Sequence, residues 1–288
     1  MLLRIFSLKV IVFVVVLLVA SAITAGATTR RALVIGLGQQ QDTRWGKIHG
    51  DEDVQYVVKM LKKCGYSDIR TLTNEEATKQ GMVLAFLELS GRCKMGDEVY
   101  IHYSGHGQLM TDINGDEADR WKGRHRMYDE SWIPYDAYMT YCNEDKGEKH
   151  LSDDEVAEYL TMIRNRIGNS GRIYVIIDSC HSGDATMTGG EQDECVRGVD
   201  MTFDIPKTQK EEIKKHYKER WLTISACRPY QLCFEQKNPR IGKLTNIIIH
   251  LGDVIFYMKN SEIQKLLDQY MEANPSRLPQ NPVVSGNR

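Results

Sequence analysis

The stretch Arg172-Ile-Tyr-Val-Ile-Ile-Asp-Ser-Cys-His-Ser-Gly183 decides the fold, because it is an apolar, β-branched run that stops at a cysteine. An earlier stretch, Asp97-Glu-Val-Tyr-Ile-His-Tyr-Ser-Gly-His-Gly107, stops at a histidine in the same way. Short apolar runs bounded by glycine and polar residues are typical of buried strands. We therefore predict two neighbouring strands whose ends place Cys180 beside His106.

Similar runs alternate with helical patterns along the rest of the chain. The predicted strands are Arg31–Gly38, Ile69–Leu72, Val99–Tyr103, Ile173–Ile177, Leu222–Ala226 and Pro282–Gly286. The predicted helices are Asp51–Cys64, a segment around Val83–Leu87 that ends near Gly91, the segment after Ser152, Leu244–Val254 and Ser261–Met271. This alternation predicts an α/β fold, a mainly parallel sheet of about six strands flanked by helices on both faces. Ligand sites in such sheets lie off the carboxyl ends of the strands.

Composition and charge narrow the class of protein. The chain has 288 residues, is 42% hydrophobic and carries a net charge of −2. That is ordinary globular composition with enough apolar material for a core. A nucleic-acid-binding domain usually has a clustered basic excess, so we expect no nucleic-acid partner.

The first 27 residues have the pattern of an export signal. Arg4 and Lys9 flank an apolar run, and Ala-x-Ala patterns follow that end at Ala22 and Ala27. A basic start, a short apolar centre and a small-residue cleavage site are typical of a signal peptide. The run is shorter than the roughly 20 residues of a spanning helix. We expect export to the periplasm or outside the cell, with no membrane association after cleavage; an uncleaved anchor is the alternative.

Seven cysteines are present, an odd number. Export permits disulfides, and an odd count leaves at least one thiol unpaired within a monomer. The chain has no Cys-x-x-Cys pair, so zinc-ribbon and thioredoxin-like sites have no support. The pairing cannot be deduced from the sequence.

The predicted pair of Cys180 and His106 has the chemistry of a cysteine peptidase dyad. A cysteine attacks as thiolate and needs a base, which His106 supplies if the two strands are neighbours. The backbone amides of Gly107 and Cys180 would then face the oxyanion. His181 is a poor base for its own neighbour, because adjacent residues on an extended segment point in opposite directions. His102 and His106 are four residues apart on a strand, without the helix face that a zinc pair uses. Taken singly, each residue is more often a buried thiol or a loop imidazole.

Two segments resemble the signature motifs of metacaspases, which belong to the caspase-like cysteine peptidases. They are Tyr-Ser-Gly-His-Gly at 103–107 and Asp-Ser-Cys-His-Ser-Gly at 178–183. Three further stretches, Gly50–Val54, Ser225–Arg228 and Gln280–Val284, are also similar to the family. The resemblance implies the caspase–hemoglobinase fold and a Cys180–His106 dyad. It also implies a large subdomain at 28–204 and a small one at 205–288, joined by a linker at 184–218 that we expect to be exposed.

Charge beside the nucleophile suggests which substrates are cleaved. Asp178 stands where true caspases carry the glutamine of Gln-Ala-Cys, and a carboxylate there would pair with arginine or lysine. By resemblance, Asp53 is the second acid of the pocket and Ser225 lines it. We expect protein or peptide substrates cleaved after Arg or Lys. The alternative for Asp178 is a strand-end residue that caps backbone amides.

The resemblance also implies calcium. Asp129, Asp153 and Asp154 match the family's calcium positions, and hard carboxylate oxygens suit Ca²⁺. A further family aspartate, downstream of the nucleophile, has no clear match. The competing role for Asp153 and Asp154 is favourable interaction with a helix N-terminus. The stretch from Asp112 to Glu117 lacks the glycine and glutamate positions of an EF-hand, so we interpret it as a solvated acidic loop.

The expected protein is thus an exported, monomeric cysteine endopeptidase. Four basic residues of the linker are candidate self-processing sites, and the sequence does not choose among them: Arg197, Lys207, Lys210 and Lys214. Two alternatives remain, an inactive caspase-like binding or scaffold protein and a clostripain-like peptidase that matures differently.

Overall fold

A computed structural model describes residues 28–115, 117, 128–180, 195–199, 201–206, 219–228 and 231–287. The predicted signal at 1–27 and His181 lie outside these residues, as do Lys207, Lys210 and Lys214. The strands of the main sheet are β1 (Arg30–Gly36), β2 (Asp68–Thr73), β3 (Glu98–Ser104), β7 (Arg172–Asp178), β8 (Leu222–Ser225) and β11 (Val283–Gly286).

The main sheet has six strands in the order β11-β8-β7-β3-β1-β2. Its five strands from β8 to β2 run parallel, and β11 pairs antiparallel with β8 at one edge. The predicted mainly parallel sheet is therefore confirmed. Because β8 and β11 continue the sheet begun by the strands before them, the C-terminal part of the chain belongs to the same layer.

Helices cover both faces of this sheet. They are α1 (Gly50–Lys63), α2 (Lys79–Arg92), α3 (Asp153–Ile167), α4 (Lys243–Leu251) and α5 (Asn260–Ala273). The helix predicted to run to Val254 ends earlier, at Leu251, and a 3-10 turn follows at Gly252–Phe256. Gly252 has φ +56°, a left-handed conformation that ends an α-helix and favours glycine.

Burial on both faces explains why the strands are almost continuously apolar. In β1, Ala32 and Val34 point into the core formed with α1, α4 and α5. Leu33 and Ile35, which alternate with them, point into the second core, formed with α2 and α3. Successive side chains of a strand face opposite ways, so a strand covered on both sides has no polar face.

A small second sheet follows the predicted histidine. It contains β4 (Gly107–Thr111), β5 (Tyr128–Trp132) and β6 (Leu151–Ser152), and the described strands pair antiparallel. The solvated loop predicted around Asp112 is wrong, because Asp112 and Glu117 are only 8% and 3% exposed. Asp112 accepts backbone hydrogen bonds from Gly115, at 2.5 Å, and Glu117, at 3.3 Å, which places its carboxylate inside the turn.

Within the described residues, no helix combines the length and the apolar character that crossing a bilayer requires.

Candidate active site

The ends of β3 and β7 meet at the centre of the main sheet. In the parallel register Ser104 lies opposite Asp178, and the amide of Gly105 donates to the Asp178 carbonyl at 3.4 Å. His106 and Cys180 each follow two residues after these positions, and both are buried. Burial lowers the pKa of His106, and the charge of Cys180 is among the groups near enough to the imidazole to oppose that shift. The predicted side-by-side placement of the two strand ends is confirmed.

The His106 imidazole is arranged as a neutral base. Its Nε2 lies 2.7 Å from the carbonyl oxygen of Gly46, which only accepts, so Nε2 carries the proton and Nδ1 carries the lone pair. The buried Nδ1 has no hydrogen-bond partner among the described residues. Burial lowers the pKa of His106 to about 4, and the ring of Trp45 packs on it with centroids 5.2 Å apart. The imidazole is therefore neutral near pH 7 and can accept a proton at Nδ1.

A segment of the linker, Cys195–Val199, covers Cys180. The amide of Cys180 donates to the carbonyl of Arg197 at 2.8 Å. A Cβ atom on Gly198 would lie 2.8 Å from the Cys180 sulfur, closer than carbon and sulfur pack, so only glycine fits at this position. The Arg197–Gly198 peptide bond thus lies directly over the predicted nucleophile.

The Arg197 side chain fills an acidic pocket. Its guanidinium lies 2.8 Å from Asp53, 3.6 Å from Asp178 and 2.9 Å from Glu235. Arg197 is fully buried, and Asp53, Asp178 and Glu235 are at most 4% exposed. Burial alone would lower the pKa of Arg197, but the three carboxylates outweigh it and raise that pKa. Burial raises the pKa of Asp53 to about 6 although Arg197 opposes the shift.

Asp178 contacts a guanidinium of its own chain and also caps a backbone amide. Its Oδ2 lies 3.6 Å from the Arg197 guanidinium and also accepts hydrogen bonds from the Thr245 amide and hydroxyl, at 2.7 and 2.6 Å. Thr245 is the third residue of α4, so the carboxylate caps the N-terminus of that helix. A Cβ on Gly242, just before α4, would lie 2.1 Å from Asp178 Oδ2, so the pocket needs a residue without a side chain there.

The backbone of the linker segment pairs like a strand with the chain after Cys233. The amide of Arg197 donates to the Cys233 carbonyl at 3.0 Å, and the amide of Glu235 donates to the Cys195 carbonyl at 3.1 Å. Val196 and Phe234 form an antiparallel bridge just before the short strand β9 (Glu235–Lys237). A peptide bound by strand addition makes the same main-chain hydrogen bonds.

One prediction from the sequence needs correction here, and some contacts of the site were not predicted at all. The described parts of the linker are not exposed throughout, because Arg197 and Phe203 are fully buried, although Met201 is exposed. Among the linker's basic residues, Arg197 contacts the pocket, which no spacing in the sequence indicated. Glu235 and Thr245 also escaped prediction, since neither stands beside a predicted strand end, and only the folded chain brings them to Arg197.

The remaining predicted site residues lie around this centre. Gly107 begins β4, buried and opposite Trp132, and Ser225 ends β8 opposite Ile177. Asp129 is buried in β5, and Asp153 and Asp154 lie in the first turn of α3. The pairing of Ser131 with Ser152 brings these aspartates to the same end of the second sheet.

The atoms of His49, Cys195 and Glu235 also lie within 4.8 Å of one another, a spacing that metal ligands have. His49 Nδ1 lies 2.6 Å from Glu235 Oε2, and Arg240 lies 3.2 Å from His49 Nε2. Arg197 pairs with the same carboxylate. Because two guanidinium groups already lie against these three residues, they form part of an ion-pair network. The positive charge of the guanidinium groups disfavours a bound cation.

Comparison with known proteins agrees with the site geometry. The model of the metacaspase family, peptidase C14 domain, matches residues 30–188. The chain is 34% identical over 167 residues to Metacaspase-1 of Mycosarcoma maydis and 29% identical over 162 residues to Metacaspase-2 of Arabidopsis thaliana. Each alignment covers 54% of this chain, and 36% and 34% of those proteins, so the chain spans about a third of their length.

Among solved structures, a protein from Geobacter sulfurreducens has the same fold. It superposes with a TM-score of 0.59, covering 90% of this chain and 93% of its own, at 21% identity. At this low sequence identity, the similarity shows only that the two proteins share a fold. The family model covers more than half of the chain and includes both strand ends that form the site. The chain therefore belongs to the metacaspase family of peptidase C14 domains.

Proposed function

We propose that this protein is a cysteine endopeptidase that cleaves peptide bonds after arginine or lysine, using Cys180 as nucleophile and His106 as base. Membership of a peptidase family supports protein substrates in general. One observation supports the finer proposal. Arg197 lies in the acidic pocket while its own carbonyl accepts a hydrogen bond from the Cys180 amide. A substrate with a basic residue before the cleaved bond would bind in this pose.

The proposed reaction uses groups already at this site. His106 Nδ1 takes the thiol proton of Cys180, and the thiolate attacks the carbonyl carbon of the bound residue. The Cys180 amide, with that of Gly107, stabilises the negative charge on the oxygen. The protonated His106 then gives its proton to the leaving amine. Water attacks the thioester with His106 again as base, and this step releases the acid and restores the thiol.

Reporter peptides test the specificity and the dyad. We expect an arginyl or lysyl reporter to be cleaved far faster than an aspartyl one, and Cys180→Ala and His106→Ala to lose at least about 1,000-fold in kcat, as for other catalytic dyads and triads. Faster cleavage of the aspartyl reporter would rule out the basic pocket. Unchanged activity in Cys180→Ala would rule out the nucleophile.

The same pose supports self-processing between Arg197 and Gly198. Incubated wild type should yield a new fragment whose N-terminal residue is Gly198, and Cys180→Ala should yield none. Arg197→Gln, which keeps the length but not the charge, should prevent this cut. A first cut elsewhere in the linker, with residues 197–198 intact, would contradict the proposal.

The alternative is an inactive caspase-like binding protein, and the complete burial of Cys180 is the observation that favours it. A thiol-reactive inhibitor with an arginyl side chain discriminates the two. If it labels wild type after processing but not Cys180→Ala, the protein is a peptidase. If it labels neither, the binding role is favoured. A clostripain-like maturation would differ in the position of the cut.

We also propose a calcium site formed by Asp129, Asp153 and Asp154. Their carboxylates offer the hard oxygen donors that Ca²⁺ prefers, and Asp129 is only 5% exposed, so a cation would offset the cost of burying its charge. Bound calcium would neutralise this acidic end of the second sheet. We expect addition of Ca²⁺ to raise activity and the unfolding temperature of wild type but not of Asp129→Asn. Unchanged activity and melting of wild type with chelator or Ca²⁺ would exclude the site.

Export, supported by the basic, apolar and small-residue pattern of residues 1–27, is the next part of the proposal, and a monomeric state is the last. Expression of the whole chain in an exporting host should give a mature N-terminus after Ala22 or Ala27. Light scattering of the purified protein should give the mass of one chain.

A further inference from the structure

Three thiols meet beside the proposed nucleophile. The Cys233 thiol donates to the Cys227 sulfur at 2.9 Å and lies 3.0 Å from the carbonyl oxygen of Ser179, the residue before Cys180. The Cys180 side chain is hydrogen-bonded with both of the others. Cys227 and Cys233 are free thiols. Cys180 and Cys233 are completely buried, whereas Cys227 is partly exposed.

The topology explains this meeting. Cys180 follows β7, and Cys227 follows its parallel neighbour β8, two residues beyond the pairing of Ile177 with Ser225. Cys233 lies six residues farther along the chain, just before β9. Cys227 and Cys233 therefore lie at the two ends of one short connection, which also carries the carbonyl that binds the Arg197 amide.

The geometry suits a disulfide between Cys227 and Cys233. A disulfide bond is about 2.05 Å long, so sulfurs now 2.9 Å apart need to approach by less than about 1 Å. A hydrogen bond to Cys180 raises the pKa of Cys227, and burial raises the pKa of Cys233, so both are thiols near neutral pH.

We propose that Cys227 and Cys233 form a reversible disulfide that switches the site off under oxidising conditions. A hydroperoxide is the oxidant. The sulfur of Cys227, the partly exposed residue of the two, attacks the outer peroxide oxygen, the O–O bond breaks, and the thiol proton goes to the leaving alkoxide or hydroxide. Cys227 is now a sulfenic acid. The Cys233 sulfur attacks the Cys227 sulfur, and water leaves with the Cys233 proton. Two thiols and one alkyl hydroperoxide thus give one disulfide, one alcohol and one water, and with hydrogen peroxide the products are one disulfide and two waters.

The consequence for activity rests on the proposed peptidase function. The disulfide removes the two thiols that are hydrogen-bonded with Cys180 and closes the connection that positions the Cys233 carbonyl. That carbonyl accepts the main-chain hydrogen bond of the residue in the pocket. Oxidation should therefore lower kcat/KM for an arginyl reporter by about tenfold or more, the effect of losing one or two such hydrogen bonds. A dithiol reductant should restore it.

The bond itself is tested in a chain that cannot cleave itself. Cys180→Ala protein is treated with hydrogen peroxide, alkylated and digested with chymotrypsin, which cuts after Tyr230 between the two cysteines. We expect the peptides of Cys227 and Cys233 to be joined and to separate after reduction. Recovery of both as singly alkylated peptides would overturn the proposal. In wild type, a link from Cys180 to either of them would overturn it as well.

Activity is then measured in the whole protein. Wild type should lose activity on peroxide treatment and regain it with dithiothreitol. Cys227→Ser and Cys233→Ser should lack this recoverable component, whereas Cys142→Ser, a cysteine elsewhere on the chain, should behave as wild type. Melting curves of the reduced variants check their folding. Equal recoverable inactivation in Cys227→Ser would overturn the switch. If reduced wild type has no activity, the peptidase proposal fails while the peptide map still decides the disulfide.

Discussion

Glu235 completes the set of charges around Arg197. Both the Nε and Nη2 atoms of the guanidinium donate to Glu235 Oε1, at 3.1 and 2.9 Å. Burial would raise the pKa of Glu235, but Arg197 and His49 outweigh it and hold that pKa below its usual range. A lysine has one ammonium group and no Nε–H, so it cannot make this pair of bonds. Glu235 is therefore the residue that would favour arginine over lysine.

Substitution Glu235→Gln tests this preference. We expect kcat/KM for an arginyl reporter to fall about 10- to 100-fold, the worth of a hydrogen bond to a charged group, and that for a lysyl reporter to fall less. Glu144→Gln, an exposed glutamate elsewhere, serves as the control. Equal losses on both reporters would show that Glu235 does not read the guanidinium.

At the scale of elements, α3 shows how much local sequence determines. Ser152 accepts a hydrogen bond from the Glu155 amide at 3.3 Å, and the Glu155 carboxylate accepts one from the Ser152 amide at 3.3 Å. The spacing of serine and glutamate in Ser152-Asp-Asp-Glu155 is the sequence pattern of a capping box, and the structure forms that box. It begins α3 where the proposed calcium aspartates lie, so the helix-dipole role of Asp153 and Asp154 is real whether or not calcium binds.

Ser152→Ala should lower the free energy of unfolding by about 1 kcal/mol, because the Glu155 amide in the first turn loses the hydroxyl that caps it. Urea unfolding measures this change. Ser170→Ala, an exposed serine just after the helix, should change stability by less than about 0.5 kcal/mol. A similar loss in both variants would mean that the cap contributes nothing specific.

At the scale of the whole molecule, buried histidines couple stability to pH. His102 lies in β3 at the centre of the sheet, where its nitrogens contact Tyr100 at 3.2 Å and Thr245 at 3.1 Å. Burial, and to a lesser extent Arg197, lowers the pKa of His102 to about 3. The unfolded chain takes up this proton near pH 6.5 and the folded chain does not, so stability is full above about pH 6.5 and falls as the pH drops towards 3.

We expect the His102→Gln variant to lose less stability than wild type on acidification from pH 6.5 to 4. The difference should approach 1.4 kcal/mol per pH unit, the limit for one proton. His250→Gln, an exposed histidine on α4, is the control and should follow wild type. Because the raised pKa of Asp53 acts in the opposite direction over this range, the comparison between variants is the informative quantity. Parallel pH profiles for all three proteins would contradict the assignment to His102.

The amino-acid sequence by itself determined the alternation of strands and helices, the parallel sheet, the cap of α3 and the two strand ends that carry His106 and Cys180. These follow from local patterns, namely period, burial and capping residues, that need no knowledge of distant partners. Only the tertiary structure decided that Arg197 fills the pocket, that Glu235 and Thr245 complete it, and that Cys227 and Cys233 meet beside Cys180. Those contacts join residues far apart in the chain or across a turn, and which of several similar side chains makes them depends on the packing of the whole sheet.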